Sequence, residues 1–410
     1  MKKLKKKTLS AYQETKYGKQ DRRNKIIALS SAGVVLALIA GILLFTVFKD
    51  SSSGKPAVSR DIQETAKDTS SGQAETSTSL TPVPQQTEPV SLTLSLVGDC
   101  TLGTDETFDY STSLNAYYES QGADYFFQNV RSIFESDDLT IANFEGTLTT
   151  LDTREDKLFA FKADPEYTQI LSGSSVEAVN MANNHSHDYG DQSYTDTLSA
   201  LDAAGIVHFG YDETAVMEVK GVKVGLVGIY ELNDHMERAQ QLKDNIAKVK
   251  NEGAQLVIAV FHWGNEKETV PDENQRQLGH MAIDEGADLV VGHHPHVLQG
   301  IEIYNGKNIV YSLGNFCFGG NAYPSDMDTI IFQQTFTVTT EGVQEDNVTN
   351  IIPCSISSAS DYNNYQPTPA EGEEASRILD KVGELSQMIP SDTQSADTSS
   401  QEEDAETSQE

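Results

Sequence analysis

Cysteine is nearly missing from this chain. Three residues in 410, Cys100, Cys317 and Cys354, are too few to build a disulfide framework. An odd number leaves one unpaired within a monomer, and small buried hydrophobes are the simplest reading of all three. Cys100 and Cys317 each adjoin a polar motif, so a bridge or a thiolate ligand there is the alternative. Basic residues are also scarce, 29 Lys and Arg against 62 Asp and Glu. The resulting net charge of −33 repels nucleic acid and argues against such a partner. The chain has no Gly-x-x-x-x-Gly-Lys-Ser/Thr loop, the phosphate cradle that would power a ligation, and no internal repeat.

One stretch lacks charge altogether. Residues 26–48 form a 23-residue run with no charged residue and no proline. As a helix it would extend ~35 Å, enough to cross a ~30 Å hydrocarbon core with some tilt. The run is apolar on all sides, unlike an ordinary core helix. A cleavable signal has a shorter apolar region, ~7–15 residues, ending in a small-x-small site, and Phe45-Thr46-Val47-Phe48 offers none. Residues 1–25 hold ten Lys and Arg against Glu14 and Asp21. That charge predicts a cytoplasmic N-terminus lying against anionic lipid and a single-pass protein of the cell membrane, with residues 49–410 extracellular. With +8 on the first 25 residues, the outer part carries −41, a surface that attracts cations.

Residues 49–90 are Ser, Thr, Gln, Pro and charge, and residues 391–410 are acidic and Ser/Thr-rich. These compositions predict a disordered spacer and a disordered tail around one domain at 91–390. Within it, apolar runs at 92–97, 139–143, 178–181, 222–229, 256–261 and 288–291 read as buried strands. Helical patterns at 125–134, 165–171, 194–204, 236–249 and 274–285 alternate with them, which is α/β organisation with a parallel or mixed sheet. Runs at 301–304, 308–312, 329–339 and 348–355, joined by turns such as Asn305-Gly306, add antiparallel character. A last amphipathic helix over 373–388 would pack back on the domain through Ile378, Leu379, Val382 and Leu385.

The polar residues that can carry chemistry stand where these strands end. Asp99 follows the first strand, Glu145 the second, Asn184 and His185 the third, His262 the fifth, and His294 and His296 the sixth. Loops beyond the carboxyl ends of strands form the ligand crevice of open α/β sheets. Taken singly, each is a turn former, a cap or a buried histidine. Together they make a metal site with oxygen and nitrogen ligands, and six of the nine histidines fall in three of these segments.

The order of motifs is Gly98-Asp99, Asn143-Phe144-Glu145-Gly146, Asn183-Asn184-His185 with Asp188, His262-Trp263-Gly264 with Glu266, Gly292-His293-His294-Pro295-His296, and Tyr311-Ser312-Leu313-Gly314-Asn315-Phe316. It resembles the CapA/PgsA family of bacterial capsule-synthesis (poly-γ-glutamate) proteins over about 93–357. That family in turn resembles the calcineurin-like metallophosphoesterases, which implies a four-layer α/β/β/α sandwich. The resemblance implies one or two divalent ions, Mn, Fe or Zn, on Asp99, Glu145, Asn184, His262, His294 and His296. It implies a catalytic role for His185, with Asp188 and Glu266 orienting imidazoles. His187 lies outside this set. His293 is the alternative to His294, which is preferred because His-x-His puts two rings on one side of an extended segment.

Two departures stand out. Thr101 replaces the histidine expected two residues after the first aspartate, and Asn-Phe-Glu-Gly replaces Gly-Asp-x-x-Asp. The resemblance implies an accessory protein of capsule polymer synthesis or export. Its partners would be the lipid bilayer, membrane components of a polymer synthase, and an anionic polymer or phosphoester. An active metal-dependent phosphoesterase or polymer hydrolase at the cell surface is the alternative.

Overall fold

The structure, a computed structural model, describes residues 88–344 and 346–390. The basic segment, the membrane-crossing run and the acidic tail read from the sequence lie outside them, as does most of the spacer. Among the described residues no helix is long and apolar enough to cross a membrane. The domain already begins at Val90, where the first strand starts.

Two mixed sheets carry the domain. The parallel part of the first is β1 (Val90–Thr101), β2 (Leu139–Glu145), β5 (Ala178–Asn180) and β6 (Val207–Phe209), with β13 (Asn315–Phe318) pairing parallel to β1. On the other side of β1 the antiparallel strands β14 (Asp328–Thr339), β16 (Val348–Ser355) and β17 (Thr368–Pro369) complete it, with β15 (Gly342–Val343) on β14. The second sheet runs β11 (Ile301–Tyr304), β12 (Lys307–Val310), β10 (Leu289–His293), β9 (Leu256–His262), β8 (Val222–Tyr230) and β7 (Ala215–Val219). Its four middle strands are parallel and its edges antiparallel. A short ribbon, β3 (Thr147–Leu148) with β4 (Lys162–Ala163), stands apart.

Period-two alternation decides which side chains meet. Leu92, Leu94 and Leu96 of β1 face Val222, Val224 and Leu226 of β8 and Leu256, Ile258 and Val260 of β9 in a core between the sheets. The opposite face of the first sheet packs Ala142, Phe144 and Val179 against α1 (Leu114–Gln121), α2 (Arg131–Phe134), α3 (Thr168–Ser172) and α4 (Asp191–Ala204), which supply Leu114, Phe134, Ile170 and Leu201. The outer face of the second sheet packs Val257, Ala259 and Phe261 against α5 (Ala239–Asn251) and α6 (Glu273–Glu285). Layers therefore run helix, sheet, sheet, helix. The last helix, α7 (Gly372–Gln387), buries Ile378, Val382 and Leu385 in the core between the sheets. Leu379, expected on that face, is 40% exposed.

The helix expected over 125–134 is broken into a 3-10 turn at Ala123–Tyr125 and the one-turn α2. No cysteine is bridged. Cys100, Cys317 and Cys354 are free, buried, and all in the apolar layer between the first sheet and its helices. Burial pushes their thiols up, which suits small hydrophobes and neither the bridge nor the thiolate ligand.

Candidate metal centre

The crevice is the polar end of the core between the sheets. Along β2 the inward stripe Leu139, Ile141 continues as Asn143 and Glu145; along β9, Ile258 and Val260 continue as His262; along β10, Leu289 and Val291 continue as His293. Side chains of one parity thus change from apolar to ligating at the carboxyl ends of three parallel strands. Asp99 breaks the parity of Leu92, Leu94 and Leu96. The register of β1 against β2 shifts between Leu96 and Asp99, and this bulge turns Asp99 into the crevice and Cys100 out to the helices. Gly98 is required beside it, since a Cβ there would stand 2.2 Å from the carbonyl oxygen of Gly314.

Asp99, Glu145 and His262 are fully buried and offer ligand atoms within 4.8 Å of one another. Asn143 sits among them. Its Nδ2 donates to Asp99 Oδ1 (2.8 Å) and Glu145 Oε1 (3.4 Å) and lies 3.3 Å from His262 Nδ1. Asn180 Nδ2 holds its carbonyl oxygen at 2.9 Å. Thr101 donates its hydroxyl to Glu145 Oε2 (2.8 Å). His262 Nε2 lies 2.7 Å from Asn184 Oδ1 and 3.6 Å from Glu145 Oε1. His296 Nδ1 lies 3.1 Å from Asp99 Oδ2 and 2.9 Å from Asn315 Oδ1. All six ligands implied by the resemblance come together, and Asn143, Thr101 and Asn315 join them unforeseen. Parity along β2 marks Asn143; the other two carry no comparable signal.

The His-x-His segment is not extended. His294 and His296 have φ of +95° and +56°, in the left-handed region that residues with a side chain seldom occupy, and this backbone brings their rings to 5.6 Å. His293, set aside in favour of His294, also reaches the centre, with Nδ1 3.2 Å from Asp99 Oδ1 but out of line for a hydrogen bond.

Burial alone would raise Asp99, but the imidazoles of His293 and His296 outweigh it and hold the carboxyl well below its usual range. Burial, then the charge of Asp99, pushes Glu145 up. Burial, then the imidazole of a neighbouring histidine, lowers His262 and His294, the latter to about 3, so both rings are neutral as metal ligation needs. His294 Nδ1 is buried without any partner. Two buried carboxylates, neutral imidazoles and an orphaned nitrogen are the donor set of a divalent cation, and the group can hold one.

His185 lies beside this group. Its Nδ1 donates to Asp188 Oδ2 (2.8 Å), and the carboxylate also accepts from the backbone of Phe161 (2.6 Å). Asp188 thus stands in hydrogen-bond contact with the imidazole of His185. Lys157, which the sequence reading missed, binds the other oxygen of Asp188 and the carbonyl of Asn184 (2.7 Å). It comes from an irregular loop and carries no motif. Glu266 differs from expectation: it is exposed on the rim and makes no hydrogen bond to an imidazole among the described residues. His187 stacks on Tyr194 at 4.5 Å, away from the centre. A cleft of about 240 Å³ opens over Glu145, His185, His296 and Asn315, walled by Phe159, Phe161 and Phe318.

The family model for bacterial capsule synthesis protein PGA_cap matches residues 93–320. The chain belongs to that family. The matched span contains every residue of the centre. The PGA biosynthesis protein CapA of Bacillus subtilis (strain 168) is 34% identical over 248 residues, covering 55% of this chain and 63% of that protein. The capsule biosynthesis protein CapA of Bacillus anthracis is 31% identical over 253 residues, 55% of this chain and 60% of that protein. The match thus spans less than two thirds of either relative. A hypothetical protein of known structure from Thermus thermophilus has a TM-score of 0.40 and 14% identity, over 64% of this chain and 98% of its own.

Proposed function

We propose that this chain is a membrane-anchored accessory protein of capsule or poly-γ-glutamate synthesis or export, with a crevice of metallophosphoesterase type. The family match across 93–320 carries this reading, because it includes the whole centre and not the apolar segments alone. The uncharged run at 26–48 behind ten basic residues supports the anchor. Missing a phosphate loop, the chain serves beside a polymer synthase in the membrane and does not itself ligate. Deleting its gene in the source organism and restoring either the native chain or His262→Ala tests this. Cell-bound polymer should disappear on deletion and return only with the native chain. Unchanged polymer on deletion sinks the role.

The His185–Asp188 pair favours a second reading, an active hydrolase. A bound Mn, Fe or Zn ion would supply Lewis-acid polarisation of a phosphoryl or carbonyl oxygen. Asp188 fixes the tautomer of His185, and Nε2 is the nitrogen left for a substrate in the cleft. Burial lowers His185 despite Asp188, so the ring is neutral and Nε2 takes a proton before it can give one to a leaving oxygen. Phe161 packs edge-on at 4.7 Å and keeps the ring from turning. The full chain in detergent with Mn²⁺, assayed on an aryl phosphate, should turn over; none above the metal blank argues the crevice is only a binding site.

A further inference from the structure

Resting on the hydrolase reading of the crevice above, we propose that the cleft takes a phosphoester whose leaving group carries a ring-sized apolar face, seated on Phe159 and Phe161. Arg154 is the positioning residue that holds this wall in place.

The wall belongs to residues 149–161, the irregular segment that connects β3 to β4. Such a segment has no hydrogen-bond ladder of its own, so other groups must fix its shape. Two carboxylates do so, and neither side chain has any exposure to solvent. Asp105 Oδ2 meets Arg154 Nη2 at 3.1 Å and accepts from the backbone of Ala160 at 2.6 Å. Its other oxygen accepts from the backbone and the hydroxyl of Thr107, at 2.8 and 2.6 Å. Asp188 binds Lys157 through one oxygen and accepts from the backbone of Phe161 at 2.6 Å through the other. The two clasps alternate along the segment: Arg154 and Ala160 on one acid, Lys157 and Phe161 on the other. Arg154 ties them together, donating from Nη2 to the carbonyl of Lys157 at 2.9 Å. Carboxylates are costly to bury unless cations and N–H groups meet them, and here one segment supplies both to each acid.

What the clasps hold in place is apolar. Phe161 packs edge-on to the His185 ring at 4.7 Å, and Phe159 lies beside it with ring centres 6.4 Å apart. Phe108 backs the pair, at 5.6 Å from Phe159 and 6.3 Å from Phe161. Phe161 is buried, whereas Phe159 is 41% exposed, and both line the cleft. Phe318 stands 5.4 Å from the His296 ring, so apolar surface flanks both histidines of the cleft. A leaving oxygen that takes its proton from His185 Nε2 therefore departs beside Phe161 and Phe159. At about 240 Å³ the cleft has room for a phosphoryl group and one ring. For scale, a closed apolar cavity of ~150 Å³ takes up benzene. A one-carbon group in the same place would leave the Phe159 face uncovered.

The full chain in detergent with saturating Mn²⁺ would be titrated calorimetrically with phenylphosphonate and with methylphosphonate, which share an anionic head and are not hydrolysed. Phenylphosphonate should bind about tenfold tighter, the scale of one ring face leaving water and packing on another. Phe159→Ala should cut that preference to about twofold or less, with methylphosphonate binding within about twofold of the native chain, and Phe159→Tyr should keep it. Arg154→Gln, shown to be folded by thermal melting, should lose the preference in the same way. All the chains share the same micelles, so partition of the ring into detergent cancels between them. Equal binding of the two probes to the native chain, or a preference that survives Phe159→Ala, overturns the proposal and leaves the metal centre standing. A preference that survives in folded Arg154→Gln overturns the positioning role of Arg154. Binding of neither probe overturns the crevice reading itself, and the subsite with it.

Discussion

Two charged clusters among the described residues are built in opposite ways. At the C-terminal helix, Asp328 accepts from Arg377 (2.9 Å) and Lys381 (2.7 Å), Asp326 accepts from Lys381 (2.7 Å), and Glu374 holds Arg377 (3.0 Å). Every charge there has its opposite. In the crevice, two buried carboxylates share one space, His293 and His294 have nitrogens without hydrogen bonds, and His294 and His296 sit on left-handed backbone. The helix cluster is complete by itself. The crevice is complete only with something added, so its strain reads as function and the helix cluster as stability.

Changing a residue that acts only on what is added should break that contrast most. His185→Ala should lower metal-dependent turnover about 100-fold or more, the scale of a lost acid–base group, with melting little changed because its main partner Asp188 keeps Lys157 and Phe161. Equal losses of turnover and folding in parallel would erase the distinction. Removing the cation comes next. At a free ion level 100-fold above its dissociation constant, binding stabilises by about 2.7 kcal/mol, so a chelator should lower the melting temperature of a domain this long by roughly 4 °C. Asp328→Ala should show the same chelator shift as the native chain, since its cluster plays no part in the centre.

Much of the centre was legible because parity and motif coincide. Ile141, Asn143 and Glu145, or Val260 and His262, share a face by simple alternation, and the apolar runs fix where each strand ends. What was not legible depends on long-range fit. The bulge that re-aims Asp99 exists because β1 is paired to strands on both sides with different registers. Lys157 reaches Asp188 across 31 positions from a loop with no pattern of its own. His294 and His296 meet through positive φ, where alternation rules do not apply. Thr101 looked like a missing ligand, and its hydroxyl bond to Glu145 appears only once β1 and β2 lie side by side.

The helix cluster is tested by acid. Burial would raise the Asp328 carboxyl, but Arg377 and Lys381 outweigh it and hold it below its ordinary value. Its stabilising contribution is therefore fully present above about pH 4, the unfolded carboxyl range, and is lost as pH falls through the lower folded value. Asp328→Asn should melt lower than the native chain at pH 7 by about 1–2 kcal/mol, a moderate figure because Arg377 is half exposed. In chelator-treated samples the gap should close as pH falls below about 4. A gap that stays constant down to about pH 2.5 would remove Asp328 as its source.

The smallest effect separates helix periodicity from actual contact. On a helical wheel Ile378, Leu379, Val382 and Leu385 form one stripe, yet the wedge between the sheets receives only Ile378, Val382 and Leu385. Leu379 is left 40% exposed at the margin of the stripe. Leu379→Ala should thus change stability by less than about 0.5 kcal/mol, because little apolar area returns to water and alanine favours the helix. Ile378→Ala, fully buried one position away, should cost about 2–5 kcal/mol. Comparable losses for the two would mean that α7 lies rotated from this orientation, with Leu379 in the core. The ion pairs of Arg377 and Lys381 with Asp328, made from the same helix, could not then form as they do here.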